Sequence, residues 1–458
     1  MTEELERIVL DFTQMRTFAK DPFLFADGDG IRITDVDGKQ YIDGLSGVFV
    51  NSLGYRNRAI IDAMTAQLER LHFAPPLHGT TPVALELVDA LLQFAPKGMG
   101  AVKLLSGGSE ATEAAMKLAR QYHKQTGHPN KFKIIARYGS YHGATMGALS
   151  ASGSWERKAV FEPLVAGFLH VHPPDCTHCP FDKVYPDCAI TCVRLIERTI
   201  LAEGPDTVAA VIMEPISISS AGFVVPPPEY FTILREICDR HGVLLIFDEI
   251  ITGFGRLGTP FGADYYGVVP DLLCCGKGMS GGYAPLAAVL IAEEVWAAFL
   301  GEPEQRLEFH HGHTYGGNPV ACAAGLAALR QIQERQLVGN ARDLGAYLRG
   351  QLEEMARTSC FVGDVRGAGL LQGMEFVCDR ATRQSFPPTV RPGKVVEAAA
   401  KARGLLLRAG ADFVALAPPL IVTHQDVALM CDILADALRT VEATLGGAAG
   451  AATSTAPA

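Results

Sequence analysis

From about residue 58 to residue 331 the chain alternates short apolar runs rich in β-branched residues with longer stretches that repeat apolar positions every three to four residues. That alternation predicts a mostly parallel sheet flanked by helices, because parallel strands buried on both faces read as unbroken apolar runs. Five strands are expected, at residues 102–105, 134–136, 208–213, 243–247 and 272–275. The helix after the first should begin at Ser109 as N-cap, with Glu110 and Glu113 in its first turn and Ala111, Ala114, Ala115, Leu118 and Tyr122 along one face. Residues 1–57 combine a short amphipathic start with a stretch punctuated by Asp27-Gly28-Asp29-Gly30 and Asp37-Gly38, which predicts a small antiparallel meander. Residues 333–445 return to helix and short strands. They are expected to pack with the N-terminal segment as a smaller α+β domain beside a large domain spanning 58–332. The Ala/Gly/Thr composition of 446–458 reads as a disordered tail.

At 458 residues the chain is about three times the usual domain size, too long for one core. Apolar residues at 48% and charged residues at 20% exclude wholesale disorder and fibrous repeats. The net charge of −10, with no basic run, argues against nucleic acid or anionic membranes as partners. The acidic start lacks the basic-then-apolar order of a secretion signal, and no apolar stretch could span a bilayer, so a cytoplasmic protein is expected. Most of the eleven cysteines sit in apolar runs such as Leu273-Cys274-Cys275 and read as reduced core thiols. The exception is Cys176, Cys179, Cys188 and Cys192 in a Pro-rich insertion. Their C-x2-C-x8-C-x3-C spacing could hold zinc or an iron–sulfur cluster, but the central gap is shorter than in common zinc ribbons, and a loop without metal is the reading preferred here.

In open α/β sheets ligands bind beyond the carboxyl ends of the strands, so the residues that end each strand matter most. The first strand runs into Ser106-Gly107-Gly108-Ser109, the third into Glu214-Pro215, the fourth into Asp248-Glu249 and the fifth into Gly276-Lys277-Gly278. A Gly-Gly-Ser turn at a helix start offers backbone N–H groups, a hydroxyl and the positive dipole end, which suit a phosphate, although many ordinary helices begin this way. A carboxylate ending an apolar strand, as Asp248 does, is costly without a cation or strong donor. Lys277, between two glycines, is similarly placed, and a desolvated lysine has the depressed pKa that Schiff-base chemistry needs. A buried Asp248–Lys277 ion pair is the plain alternative. Taken together, phosphate cup, acid and lysine on one sheet edge match the phosphate, ring nitrogen and aldehyde of pyridoxal 5′-phosphate.

The ordered motifs go further. Leu105-Ser106-Gly107-Gly108-Ser109-Glu110-Ala111, Tyr141-His142-Gly143, Phe247-Asp248-Glu249-Ile250 with Thr252-Gly253-Phe254-Gly255-Arg256, Lys277-Gly278-Met279-Ser280-Gly281-Gly282 and His313-Thr314-Tyr315-Gly316-Gly317-Asn318-Pro319 resemble the signatures of class III pyridoxal-phosphate aminotransferases of fold type I, from about residue 22 to residue 441. The pattern is most similar to ω-amino acid and amine:pyruvate aminotransferases. This resemblance implies that Gly108 and Ser109 hold the phosphate, that Tyr141 stacks on the cofactor ring, and that Asp248 holds the pyridine nitrogen with Ile250 on the opposite face. It places Glu214 beside the cofactor, makes Lys277 the covalent attachment, and has Thr314 reach the phosphate of a neighbouring subunit. A homodimer, which could double to a tetramer, is implied. Arg408 resembles the arginine that binds the acceptor's carboxylate, and Phe49 the hydrophobic substrate wall, though Phe49 could equally be core.

Relatives using ornithine, acetylornithine or 4-aminobutyrate often carry Glu-Pro-x-Gln-Gly-Glu. Here Glu214-Pro215-Ile216-Ser217-Ile218-Ser219-Ser220-Ala221-Gly222 has no second acid, which favours an amine or β-/ω-amino acid donor with a keto acid such as pyruvate. Racemases, dialkylglycine decarboxylases and aminomutases share the same turn, aspartate and lysine. A competing class is a serine hydrolase using Ser280 in Gly278-Met279-Ser280-Gly281-Gly282 with Asp412 and His424, but Pro285 spoils the helix that must follow a nucleophile elbow. Adjacent histidines in His310-His311-Gly312-His313 should face opposite ways and share no ion. Gly367 to Gly373 is a turn rather than a dinucleotide fingerprint.

Overall fold

The computed structural model describes residues 2–219 and 222–452. Its large sheet has seven strands: β1 (Met99–Leu105), β2 (Lys133–Arg137), β3 (Phe168–Val171), β4 (Val208–Met213), β5 (Leu244–Asp248), β6 (Leu272–Cys275) and β7 (Ala287–Ala292). The spatial order is β1-β7-β6-β5-β4-β2-β3. β6, β5, β4, β2 and β3 are mutually parallel, while β7 runs antiparallel to both neighbours, which leaves β1 pointing with the others. β4, β5 and β6 are buried at every position, the physical origin of their unbroken apolar sequence.

Two strands were absent from the sequence expectation. β3 is a four-residue strand at the sheet edge, too short to show a period. β7 begins two residues after Pro285 and opens with two alanines, residues of weak strand preference, so its signal was masked. The helix after β1, which we label α1, spans Gly108–Gln125 and its N-cap is Gly107, not Ser109. The Ser109 hydroxyl instead accepts a hydrogen bond from the Ala144 N–H (3.0 Å), and Glu110 turns back to accept from the Ser106 N–H (3.0 Å). Ala111, Ala114, Ala115 and Leu118 are buried as expected, with Tyr122 half-buried.

The N-terminal meander forms from Phe25–Asp29, Arg32–Asp35 and Gln40–Asp43, all antiparallel, and Leu405–Leu406 joins its edge in parallel. A second antiparallel sheet orders Val362–Ala368, Leu371–Phe376, Phe413–Leu416 and Arg408–Ala409, its first hairpin turning at Gly369 with φ +52°. Strands from both ends of the chain therefore build one small sheet, the smaller α+β unit of the expected fold. Arg256, fully buried, clamps these parts to the segment after β5: it donates to the carbonyls of Pro418 (2.5 Å) and Leu370 (3.4 Å) and to Ser46 Oγ (3.2 Å). The last helix, His424–Ala452, runs into the stretch read as a tail, and 453–458 lie outside the described residues. Among the described residues no helix is long and apolar enough to cross a membrane.

Candidate active site

The residues that follow β1, β4, β5 and β6 meet at one edge of the sheet, because these strands point the same way. Asp248 ends β5 and is buried. Its Oδ2 accepts from His142 Nδ1 (2.8 Å) and its Oδ1 from the Ile250 N–H (3.2 Å). A carboxylate only accepts, so the His142 proton sits on Nδ1. His142 itself is locked on both sides of its backbone, its N–H donating to Ser152 Oγ (2.8 Å) and its carbonyl accepting from Thr112 Oγ1 (2.7 Å). Burial alone would lower the imidazole pKa, but the charges of Glu214 and Asp248 outweigh it and hold the pKa above its ordinary value.

Glu214, just past β4, is spent on its neighbours. Its Oε1 accepts from the Tyr141 N–H (3.0 Å), its Oε2 from Arg137 Nη2 (3.2 Å), and Oε2 stands 4.0 Å from His142 Nε2. Arg137, almost fully buried at the end of β2, also donates to the Glu214 carbonyl (2.5 Å). Arg137, Glu214, His142 and Asp248 thus form a continuous chain of alternating charge behind the sheet edge. Of these, Arg137 and His142 were given no role by the sequence reading. Arg137 carried the same signal as Asp248, a charge closing an apolar strand, and His142 lay inside a quoted motif.

Lys277 follows β6 after Gly276 and adopts φ +44°, a left-handed conformation that costs a non-glycine residue energy and marks a constrained position. It makes no ion pair or hydrogen bond through its ammonium group among the described residues. Burial pulls its pKa down to about 8; Asp248 and Glu214 oppose the shift and Arg408 adds to it, so all three lie within electrostatic reach. Ile250 packs over the glycines: a Cβ on Gly276 would stand 3.1 Å from its Cδ1, and one on Gly108 3.3 Å from the same side chain. Gly143, with φ +139°, passes so close to Ser109 that a Cβ would meet its Oγ at 2.5 Å. Next to Asp248, Glu249 is fully buried and accepts from the N–H groups of Gly262 (2.5 Å) and Ala263 (2.7 Å) and from Thr252 Oγ1 (2.8 Å). Glu249→Ala leaves three buried donors unpaired and is expected to cost about 3 kcal/mol or more of stability, read as a lowered urea midpoint. An unchanged midpoint would contradict this role.

Asp248, Glu214, Tyr141, Lys277 and Arg408 are therefore in one place, with Gly108, Ser109 and Ile250 lining it. Thr314 is exposed and takes no part in the bonds that tie this cluster together. Phe49 is buried among Ile216, Phe223, Leu257, Leu371 and Phe413, as a core residue would be. The four insertion cysteines line one small apolar cavity, where burial raises the thiol pKa of Cys176 to about 11 and of Cys192 to about 12. Among the described residues no three His, Cys, Asp or Glu side chains are arranged to hold a metal ion. His311 and His313, two residues apart and so on one face, do meet, at 3.0 Å between their Nε2 atoms, but Lys117 Nζ sits 2.7 Å from His311 Nδ1. No hydrogen bond joins Ser280, Asp412 and His424: Ser280 Oγ donates to the Ala284 carbonyl (2.6 Å), and His424 stacks on Tyr347. The serine-hydrolase alternative is thereby set aside.

This donor set fits pyridoxal phosphate. The first turn of α1 presents unpaired N–H groups beside a serine hydroxyl, Asp248 has acceptor capacity beyond its two bonds, and Lys277 offers an amine without a partner. The family model for aminotransferase class-III matches residues 16–438. An uncharacterized aminotransferase, YhxA, of Bacillus subtilis is 39% identical, with 92% of this chain and 93% of that protein covered. An adenosylmethionine-8-amino-7-oxononanoate aminotransferase of Nitratidesulfovibrio vulgaris is 37% identical, covering 91% and 77%. The crystal structure of an amine transaminase from an uncultivated Pseudomonas species, in its PLP-bound form, superposes with a TM-score of 0.91 at 35% identity over 95% of this chain and 99% of that one. The chain belongs to the class III aminotransferases, and is a transaminase of fold type I that uses pyridoxal phosphate to move an amino group from an amine to a keto acid.

Proposed function

We propose that this enzyme takes the amino group of an amine or a β-/ω-amino acid and delivers it to a keto acid such as pyruvate in two half-reactions. The observation that carries the reading is Arg408, a partly buried arginine without an ion-pair partner among the described residues, set within electrostatic reach of Lys277 and Tyr141. A planar cation in that position suits a substrate carboxylate. The hairpin of Ser217–Ser219 and Gly222–Val224 places no second acid there to occupy it.

In this reading residues 58–332 carry Lys277 and Asp248, while 333–445 with 1–57 supply Arg408. Gly108 and Ser109 hold the phosphate, Tyr141 and Ile250 cover the two ring faces, and Asp248 keeps the ring nitrogen protonated. Bound there, pyridoxal phosphate supplies a carbonyl that condenses with amines and a ring that accepts the electrons left when a Cα–H bond breaks. Lys277 would be the covalent attachment point, and its Nζ, once free, would take the Cα proton of the donor as base and hand it on as acid within the same half-reaction, the opposite half-reaction running the two transfers in reverse. His142 holds Asp248 in place, and Glu214 holds Tyr141. Exposed Thr314 reaches the phosphate of a second subunit, so the working enzyme is a homodimer.

Purified holoenzyme given pyruvate with, in turn, 1-phenylethylamine, β-alanine, 4-aminobutyrate and ornithine should form alanine from the arylalkyl amine or β-alanine in preference to ornithine. Alanine produced from ornithine alone would overturn the donor assignment.

A further inference from the structure

Residues 307–313, which lead directly into Thr314, lie along one polar stripe of α1 and are gripped by it in order. Gln125 Nε2 donates to the Leu307 carbonyl (2.9 Å). Gln121 Nε2 donates to the Glu308 carbonyl (2.8 Å) while its Oε1 accepts from the His310 N–H (3.2 Å). Lys117 Nζ stands 2.7 Å from His311 Nδ1, His311 Nε2 meets His313 Nε2 at 3.0 Å, and His313 Nδ1 faces Glu110 Oε1 at 3.6 Å. These four side chains recur at helical spacing on α1, so the segment runs against the helix from its last turn to its first. The bonds also have a direction. An ammonium group only donates, so His311 accepts at Nδ1 and carries its proton on Nε2; His313 then accepts at Nε2 and carries its proton on Nδ1, toward Glu110. Burial, Lys117, His313 and Lys103 draw the His311 pKa down to about 4 against the opposing charge of Glu113, which keeps this ring neutral as the relay requires. Glu110 carries the line on, because its other oxygen accepts from the Ser106 N–H (3.0 Å) in the turn read as the phosphate cup.

We propose that Lys117, His311 and His313 are positioning residues for the cofactor: as a directed hydrogen-bond relay clipped to α1, they set where Thr314 stands and so how well it holds the phosphate in the second subunit. The inference rests on the reading of Thr314 as a phosphate ligand across a homodimer and deepens it. Thr314 is exposed, and its hydroxyl makes no hydrogen bond among the described residues, so its place depends on the segment that carries it. A threonine held only by its backbone loses less freedom on meeting a phosphate when that backbone is already fixed.

The test titrates the full-length apoenzyme with pyridoxamine phosphate, which Lys277 cannot hold covalently, and with pyridoxamine, which lacks the phosphate. Lys117→Met, a change at an exposed position, should weaken pyridoxamine phosphate about fivefold or more and leave pyridoxamine within about twofold of the parent. Lys117→Arg keeps a charged donor and should recover most of the loss. His313→Phe keeps a ring but removes the acceptor, and should repeat the loss seen in Lys117→Met. In the Thr314→Ala background, Lys117→Met should add nothing further, because both changes act through one hydroxyl. Equal weakening of both ligands, or losses that multiply in the double variant, would make the segment a general support for α1 and overturn the proposal, as would an affinity unchanged in Lys117→Met and His313→Phe. If Thr314→Ala itself binds pyridoxamine phosphate as the parent does, the assignment of Thr314 fails and the relay falls with it.

Discussion

Lys277→Ala is expected to lower kcat by at least about 10⁴-fold and to leave no cofactor that borohydride can fix to the protein. The size follows from the two duties proposed for Lys277, covalent attachment and proton transfer, with no second amine in the cluster among the described residues to assume either. A variant exchanging amino groups at the parent rate would refute the assignment of Lys277. The environment of this lysine also fixes a pH dependence. With its pKa drawn down to about 8 by burial, the neutral and reactive amine dominates above pH 8 instead of above the ordinary lysine value near 10.5. The rate at which apoenzyme captures pyridoxal phosphate should therefore climb with pH and level off soon after 8. A rise that continues to pH 10 would show that Lys277 is solvated.

What could be read from the chain in advance depended on how each feature is encoded. β4, β5 and β6 were legible because burial on both faces forces unbroken apolar runs, and Asp248, Glu214 and Lys277 stood out because each closes such a run with a charge. β7 was missed for the converse reason: its opening alanines and the nearby proline suppress the strand signal, and its antiparallel course is a property of its neighbours. Ser109 illustrates a local rule overridden by tertiary contact, since its hydroxyl accepts from Ala144 instead of capping its own helix.

The chain of charge behind Asp248 bears on the second large effect. Asp248→Asn should leave the fold and the bound cofactor in place yet lower kcat by roughly 10²–10³-fold, the range for loss of one pre-organised electrostatic group. The amide preserves shape and can still accept from His142, but it lacks the charge proposed to keep the ring nitrogen protonated, so the ring would become a weaker acceptor for the electrons released at Cα. Since Asp248 also raises the pKa of Lys277, its neutralisation should shift the midpoint of cofactor capture below 8. The two readouts separate the possible roles. A residue that only shaped the pocket would weaken cofactor binding without moving that midpoint, whereas a charge acting on both ring and lysine must change kcat and midpoint together. A variant with kcat within about threefold of the parent and an unmoved midpoint would show that this carboxylate serves His142 alone.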